Sequence, residues 1–192
     1  SGLTGTTASI TAAQKTVGKA YANTSQAHEL LMVLNLTNNN GIRVDVSNPD
    51  ALGPFLTKAQ SLDAIQNLLN TAYTDLAANP SVSFPFNSTL FGNTAGSFAQ
   101  FNRALAARVA VYKSDWNAAL TALSNSFLNL GGGLSTGAYY KFSTAGGDQL
   151  TPLFFPQNSS GETRVAHPLF ISQAEAGDNR LAKVPARTSP TT

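Results

Sequence analysis

The sequence predicts an all-α protein: helices paired into hairpins, carrying long irregular loops studded with aromatic residues. Three observations predict it. Over residues 97–130, Phe98, Phe101, Leu105, Val109 and Tyr112 recur at spacings of three and four, pause at Lys113-Ser114-Asp115, and resume as Trp116, Leu120, Leu123, Phe127 and Leu130. Leu62, Ile65, Leu68, Leu69, Ala72, Tyr73 and Leu76 draw a second apolar stripe of the same period. Nowhere do strand-like and helix-like segments alternate as a parallel sheet requires.

In chain order, residues 1–9 are rich in Gly and Thr and read as loose or extended. A first helix is predicted over about 11–36. Val17, Ala20, Tyr21 and Ala27 lead into a strong apolar end of Leu30, Leu31, Val33, Leu34 and Leu36. Gly18 and the polar run from Asn23 weaken its middle, so a break near Asn23 is the alternative. Asn38-Asn39-Asn40-Gly41 ends it. Ile42, Val44 and Val46 alternate with Arg43 and Asp45, a short half-buried extended stretch in an irregular link that runs to residue 58. The second helix is predicted over 61–78, with Ser61 as N-cap and Asn79-Pro80 as its stop. Residues 80–96 form a loop with Phe84 and Phe86 pinned to the core. Helices over 97–112 and 115–130 then make a hairpin, in which Ala104, Ala107, Ala118, Ala119 and Ala122 allow close approach and Trp116 packs beside the turn. Residues 131–192 are irregular, with one or two helical turns near 170–183 and a turn at Gly177-Asp178. The whole is expected to be a single helical domain or a portion of one.

Composition narrows the function. Only 11% of the 192 residues are charged, against about 25% in an average domain. Ser, Thr, Asn and Gln supply the polarity instead, a profile closer to an exported or surface protein than to a cytosolic enzyme. Net charge is +2 and the basic residues are scattered, so no nucleic-acid partner is expected. The absence of cysteine removes disulfides, thiolate metal sites and a thiol nucleophile. No apolar run is long enough to span a bilayer. Both ends read as cuts in a longer chain.

Candidate chemistry is sparse. The two histidines, His28 and His167, lack a G-x-S-x-G serine and read as structural or surface residues. His167, Glu162, Glu175 and Asp178 share a short span, yet no ligand ladder or histidine pair of metal spacing is present, so no metal or other cofactor is expected. Gly131-Gly132-Gly133 and Gly146-Gly147 lack the lysine and helix of a phosphate loop. No pair of carboxylates stands out for glycoside hydrolysis. The remaining candidate is an aromatic platform. Tyr139 and Tyr140 sit side by side in a Gly-rich stretch, with Gln157, Asn158 and Arg164 as polar partners. Rings in such a loop stack on the C–H faces of sugars, or simply pin the loop to the helices.

The hairpin ALAARVAVYKSDWNAALTAL resembles a tetratricopeptide unit, with small residues where the helices touch and an aspartate-aromatic turn. Its place in the chain resembles a larger pattern: a helix ending in an extended stretch and a Pro-bearing link, then LDAIQNLLNTAYTDLAA, then ALAARVAVYKSDWNAAL, then a glycine-rich aromatic region and GDNRLAK. That order is similar to the SusD/RagB family, with Asp178-Asn179-Arg180-Leu181 in the place of the family's Asp-x-Arg stretch. The family is longer, and the linker here lacks its usual glycine-aspartate-proline wording. The resemblance therefore implies a middle portion, without the lipid-bearing cysteine. It implies a non-enzymatic lipoprotein at the outer surface of a bacterial outer membrane, which binds oligosaccharide or another nutrient and passes it to a SusC-like TonB-dependent transporter. The membrane would be reached only through the lipid anchor absent from this chain. Tyr139, Tyr140, Asn158 and Arg164 would be its ligand contacts. A helical-repeat scaffold that binds a protein and an unrecognised hydrolase are the alternatives.

Overall fold

A computed structural model describes residues 10–88, 90–133, 137–138, 142–143, 149, 151 and 165–185. The chain divides into two units, Ser1–Tyr139 and Tyr140–Thr192. Among the described residues the fold is mainly helical, as predicted.

In the first unit, helix α1 (Ala12–Thr37) is a single 26-residue helix. Its start is a reciprocal cap: Thr11 Oγ1 accepts from Gln14 N–H and Gln14 Oε1 accepts from Thr11 N–H, both at 3.1 Å. No break occurs at Asn23. Thr24 is fully buried there and its hydroxyl donates back to the Ala20 carbonyl at 2.9 Å, so this polar side chain is satisfied within the helix. A 3-10 turn over Asn38–Asn40 ends at Gly41, whose φ is +67°.

Two strands follow, β1 (Ile42–Arg43) and β2 (Phe55–Leu56), antiparallel with Ile42 opposite Leu56. The all-α expectation is corrected to this extent, and the alternating stretch to 46 shrinks to two paired residues. The reason is local. Arg43 Nη1 donates to the Gly53 carbonyl and its guanidinium lies 4.4 Å over the Phe55 ring, closing the link on itself.

Helix α2 (Lys58–Ala78) begins three residues before the predicted start. The cap is Thr57, not Ser61: Thr57 and Gln60 repeat the reciprocal pattern of α1. Ser61 is buried in the first turn and donates to the Thr57 carbonyl at 2.8 Å. Helix α3 (Ala95–Tyr112) is capped by Thr94. Ser114, at φ +58°, then turns the chain, and Asp115 caps helix α4 (Trp116–Ser124) by accepting from Ala118 N–H at 3.0 Å.

Helix α4 stops six residues short of the predicted 130. Asn125 Nδ2 donates to the Thr121 carbonyl (2.9 Å) and Ser126 Oγ to the Leu123 carbonyl (2.7 Å), which satisfies the last turn. Its buried face follows the prediction at the small residues but not at the large ones. Ala119 and Ala122 are buried against α3, whereas Trp116 and Leu120 are 60% and 67% exposed. The predicted turn-packing role of Trp116 is thereby corrected, and Tyr112, expected on the buried face of α3, is also exposed. Two small residues let the short helix sit close, and of the larger stripe Leu123 packs at the edge of the core while Phe127 meets Phe91.

Helices α1, α2 and α3 pack in sequence, up, down and up, with α4 against α3. One apolar cluster gathers Leu31, Leu34, Ile65, Leu69, Leu105 and Val109; a second gathers Val17, Ala72, Leu76, Phe84 and Phe98. Tyr21 stacks on Phe98 at 4.3 Å and meets Phe84 edge-on at 5.1 Å. Phe84 is buried as predicted, while Phe86 stays 39% exposed and leans on Tyr21 and Phe84.

In the second unit, a short helix α5 (Pro168–Ser172) and a 3-10 turn over Asn179–Lys183 are described. His167 caps α5 by accepting from Leu169 N–H through Nδ1 at 3.2 Å.

Candidate functional site

The two apolar clusters of the first unit are separated by a polar layer. On α1, Thr24 lies between Ala20 of one cluster and Ala27 of the other; on α3, Asn102 lies between Ala99 and Leu105. Asn102 is fully buried. Its Nδ2 donates to Thr24 Oγ1 at 2.8 Å and to the Leu69 carbonyl at 3.1 Å, which joins three helices through one amide.

Asn102 Oδ1 accepts from the next residue. Arg103 Nε and Nη2 reach it at 2.9 and 2.6 Å, Nη2 also reaches the Leu69 carbonyl at 2.9 Å, and Nη1 reaches Asn70 Oδ1 at 3.1 Å. The guanidinium is buried and lies 4.2 Å over the Tyr73 ring. Among the described residues no carboxylate comes within 4 Å of it. Burial in this setting pulls the arginine down to about 10, with Tyr73 opposing the shift. A positive charge held by neutral acceptors alone is an unusual core element, since buried charges are ordinarily paired.

Arg103 also forms part of the floor of a cleft of about 370 Å³ between α2, α3 and α4. Gln66, Asn70 and Tyr73 come from α2, Thr121 from α4, and Asn125 from the residue that ends α4. Tyr73 Oη donates to Asn125 Oδ1 at 3.5 Å. At the rim, Lys113 pairs with Asp63 at 2.7 Å, and Asp115 is committed to the α4 cap. Gln66 Nε2 donates to Asn70 Oδ1 at 3.2 Å, while Gln66 Oε1 is buried with no partner among the described residues. The cleft can thus offer donors, acceptors and one ring face to a polar solute.

The residues predicted to form the ligand contacts, Tyr139, Tyr140, Asn158 and Arg164, lie outside the described residues, as do Gln157 and Glu162. His28 sits on α1, half-buried, with Nδ1 3.1 Å from Glu29 Oε1. Asp178 caps the 3-10 turn and forks onto Arg180, with contacts of 2.6–3.0 Å. That pairing holds the Asp178 carboxyl below the usual carboxylate range. Among the described residues no three His, Asp or Glu side chains form a group able to hold a metal, and no helix is long and apolar enough to cross a membrane.

Sequence reasoning missed Thr24, Gln66, Asn70, Asn102 and Arg103. Asn102 left one signal: it stands four residues after Phe98 and three before Leu105, inside the apolar stripe of α3, where an amide needs buried partners. No family model, curated protein or solved structure matches the chain.

Proposed function

We propose that this protein is a non-enzymatic, SusD-like binding protein that captures oligosaccharide or a related nutrient at a bacterial outer surface and delivers it to a TonB-dependent transporter. The observation that carries the binding part of this reading is the cleft floored by Arg103. Amides, a hydroxyl, a guanidinium and a ring face are the groups that recognise sugar hydroxyls and C–H faces. A single carboxylate, Asp115, lies among the described lining residues, and glycoside hydrolysis in its common form needs two. The family assignment is supported by the order of segments in the sequence and by α3 and α4 packing as consecutive helices with alanines between them. Asp178 and Arg180, which the sequence likens to the family's Asp-x-Arg stretch, pair at 2.6 Å.

The test is a glycan array followed by calorimetry on the chain and on Tyr139→Ala and Tyr140→Ala. Binding weakened by either substitution supports the aromatic platform. Binding unchanged in both removes those rings from the site, and no binding to any glycan removes the proposal.

A second reading, a helical scaffold that binds a protein, is favoured by the exposed pair Trp116 and Leu120, one turn apart on α4. Trp116 is the only tryptophan in the chain, so its fluorescence reports directly on that face. A blue shift on adding purified transporter, lost in Leu120→Ser, is the outcome this reading expects.

A further inference from the structure

We infer that the outward face of α4 is where two copies of this chain meet, one α4 lying antiparallel on the other across a two-fold axis. The surface is apart from the cleft, and the inference stands independently of the cleft's reading as a capture site.

Three observations carry it. First, α4 turns its bulk the wrong way for a helix that serves only its own core. The small Ala119 and Ala122 are buried, while the large Trp116 and Leu120 are exposed. At 3.6 residues per turn, Trp116, Leu120, Ser124 and Asn117 fall within an arc of about 100°. All four are exposed. Ala118 and Thr121, which line the cleft, lie outside this arc. Second, the face is uncharged. From Trp116 to Tyr140 the sequence holds no Asp, Glu, Lys, Arg or His. Third, Asn117 accepts from Thr121 Oγ1 at 2.9 Å through its backbone carbonyl, but its side-chain amide has no partner among the described residues.

Charge and hydrogen bonding select the occupant. In a two-fold contact each residue near the axis meets its own copy, so a charge there would meet a like charge. This face brings none. An amide holds donors and an acceptor together, so two Asn117 side chains can pair with each other reciprocally. An axis level with Ala118 sets Trp116 of one copy beside Leu120 of the other and brings both Asn117 amides to the same side. A charged protein finds no counter-charge here, and an anionic membrane surface finds neither Lys nor Arg. The side chain of a Trp offers at most about 250 Å², so Trp116 and Leu120 together supply well under the roughly 800 Å² per partner of a stable interface. The dimer is therefore of the weak, transient class.

Sedimentation velocity on the full chain, from about 10 to about 500 µM, is expected to show a monomer that becomes a dimer within this range. Leu120→Lys puts two like charges beside the axis at an exposed position. It is expected to weaken the dimer at least about tenfold without lowering the melting temperature. The chain has no cysteine, so a single engineered thiol reports on position. Asn117→Cys is expected to give a covalent dimer with bismaleimidoethane, suppressed when Leu120→Lys is added. Thr74→Cys, exposed on α2, is the control and is expected to stay monomeric. A native chain that is monomeric throughout the range overturns the inference. So does a dimer that Leu120→Lys leaves intact, or cross-linking at Asn117→Cys no greater than at Thr74→Cys. A monomer whose Trp116 fluorescence shifts only on adding transporter also overturns it, and assigns the face to a different protein.

Discussion

Asn102 on α3 donates to Thr24 on α1 at 2.8 Å, across 78 positions of sequence. Around this contact the polar layer is built, since the same amide receives Arg103 and binds the Leu69 carbonyl of α2. It fixes the register of three helices where apolar packing alone tolerates sliding. Thr24→Val keeps the shape but strips the acceptor, and is expected to cost about 1–2 kcal/mol. Asn102→Leu also deprives Arg103 of its main acceptor, and is expected to cost about 3 kcal/mol. Urea denaturation of the two variants and their double mutant checks this, with less-than-additive losses expected.

Arg103 gives the layer a pH signature. Its folded-state value is lowered to about 10, chiefly by burial. A base lowered by folding opposes folding while charged, and that cost is relieved as pH climbs from about 10 toward the ordinary arginine range. The stability difference between the native chain and Arg103→Met should therefore shift in favour of the native chain between pH 9 and pH 11. Paired urea melts at those values read it, and a difference that is flat or reversed in sign contradicts the assignment.

The face of α4 yields a third prediction. Trp116→Ser and Leu120→Ser are expected to change stability by less than about 0.5 kcal/mol, because both side chains are largely exposed. Ala119→Leu and Ala122→Leu, which push bulk into the contact with α3, are expected to cost about 1–3 kcal/mol. Thermal melts rank all four, and the opposite ranking would restore the larger apolar stripe as the buried face.

Gly41 is needed for its geometry. At φ +67°, a side chain there is strained, and an added Cβ would overlap the Leu56 carbonyl oxygen of β2. Gly41→Ala is expected to cost well over about 1 kcal/mol and to loosen the β1–β2 pair. Hydrogen exchange at the Ile42 and Leu56 amides is the direct readout, with faster exchange expected in the variant.

The Asp178–Arg180 fork should be visible by NMR titration. The Asp178 carboxyl is expected to titrate below the ordinary aspartate range, chiefly through its hydrogen bonds from Arg180. The stability it lends the 3-10 turn is present above that range and is lost as pH falls through the lowered value. Arg180→Gln should return the titration upward; an unmoved value would exclude the pairing.

The sequence by itself determined the helical character, the helix α1, the approximate places of α2 and α3, and the hairpin turn at Lys113-Ser114-Asp115. Each of these rests on local physics: a 3.6-residue apolar period or a polar turn within a few residues. It misplaced the cap of α2: the sequence pointed to Ser61, and the helix is capped by Thr57, directly after β2. It determined the face of α4 only in part: Ala119 and Ala122 are buried at the close contact as expected, whereas Trp116 and Leu120 are exposed. Tertiary structure decided that, because close approach to α3 favours small side chains over large ones. Tertiary structure also decided the polar layer and the cleft it floors. Thr24, Asn70, Asn102 and Arg103 read in sequence as unrelated polar residues, and become one network only when three helices bring them within hydrogen-bonding distance.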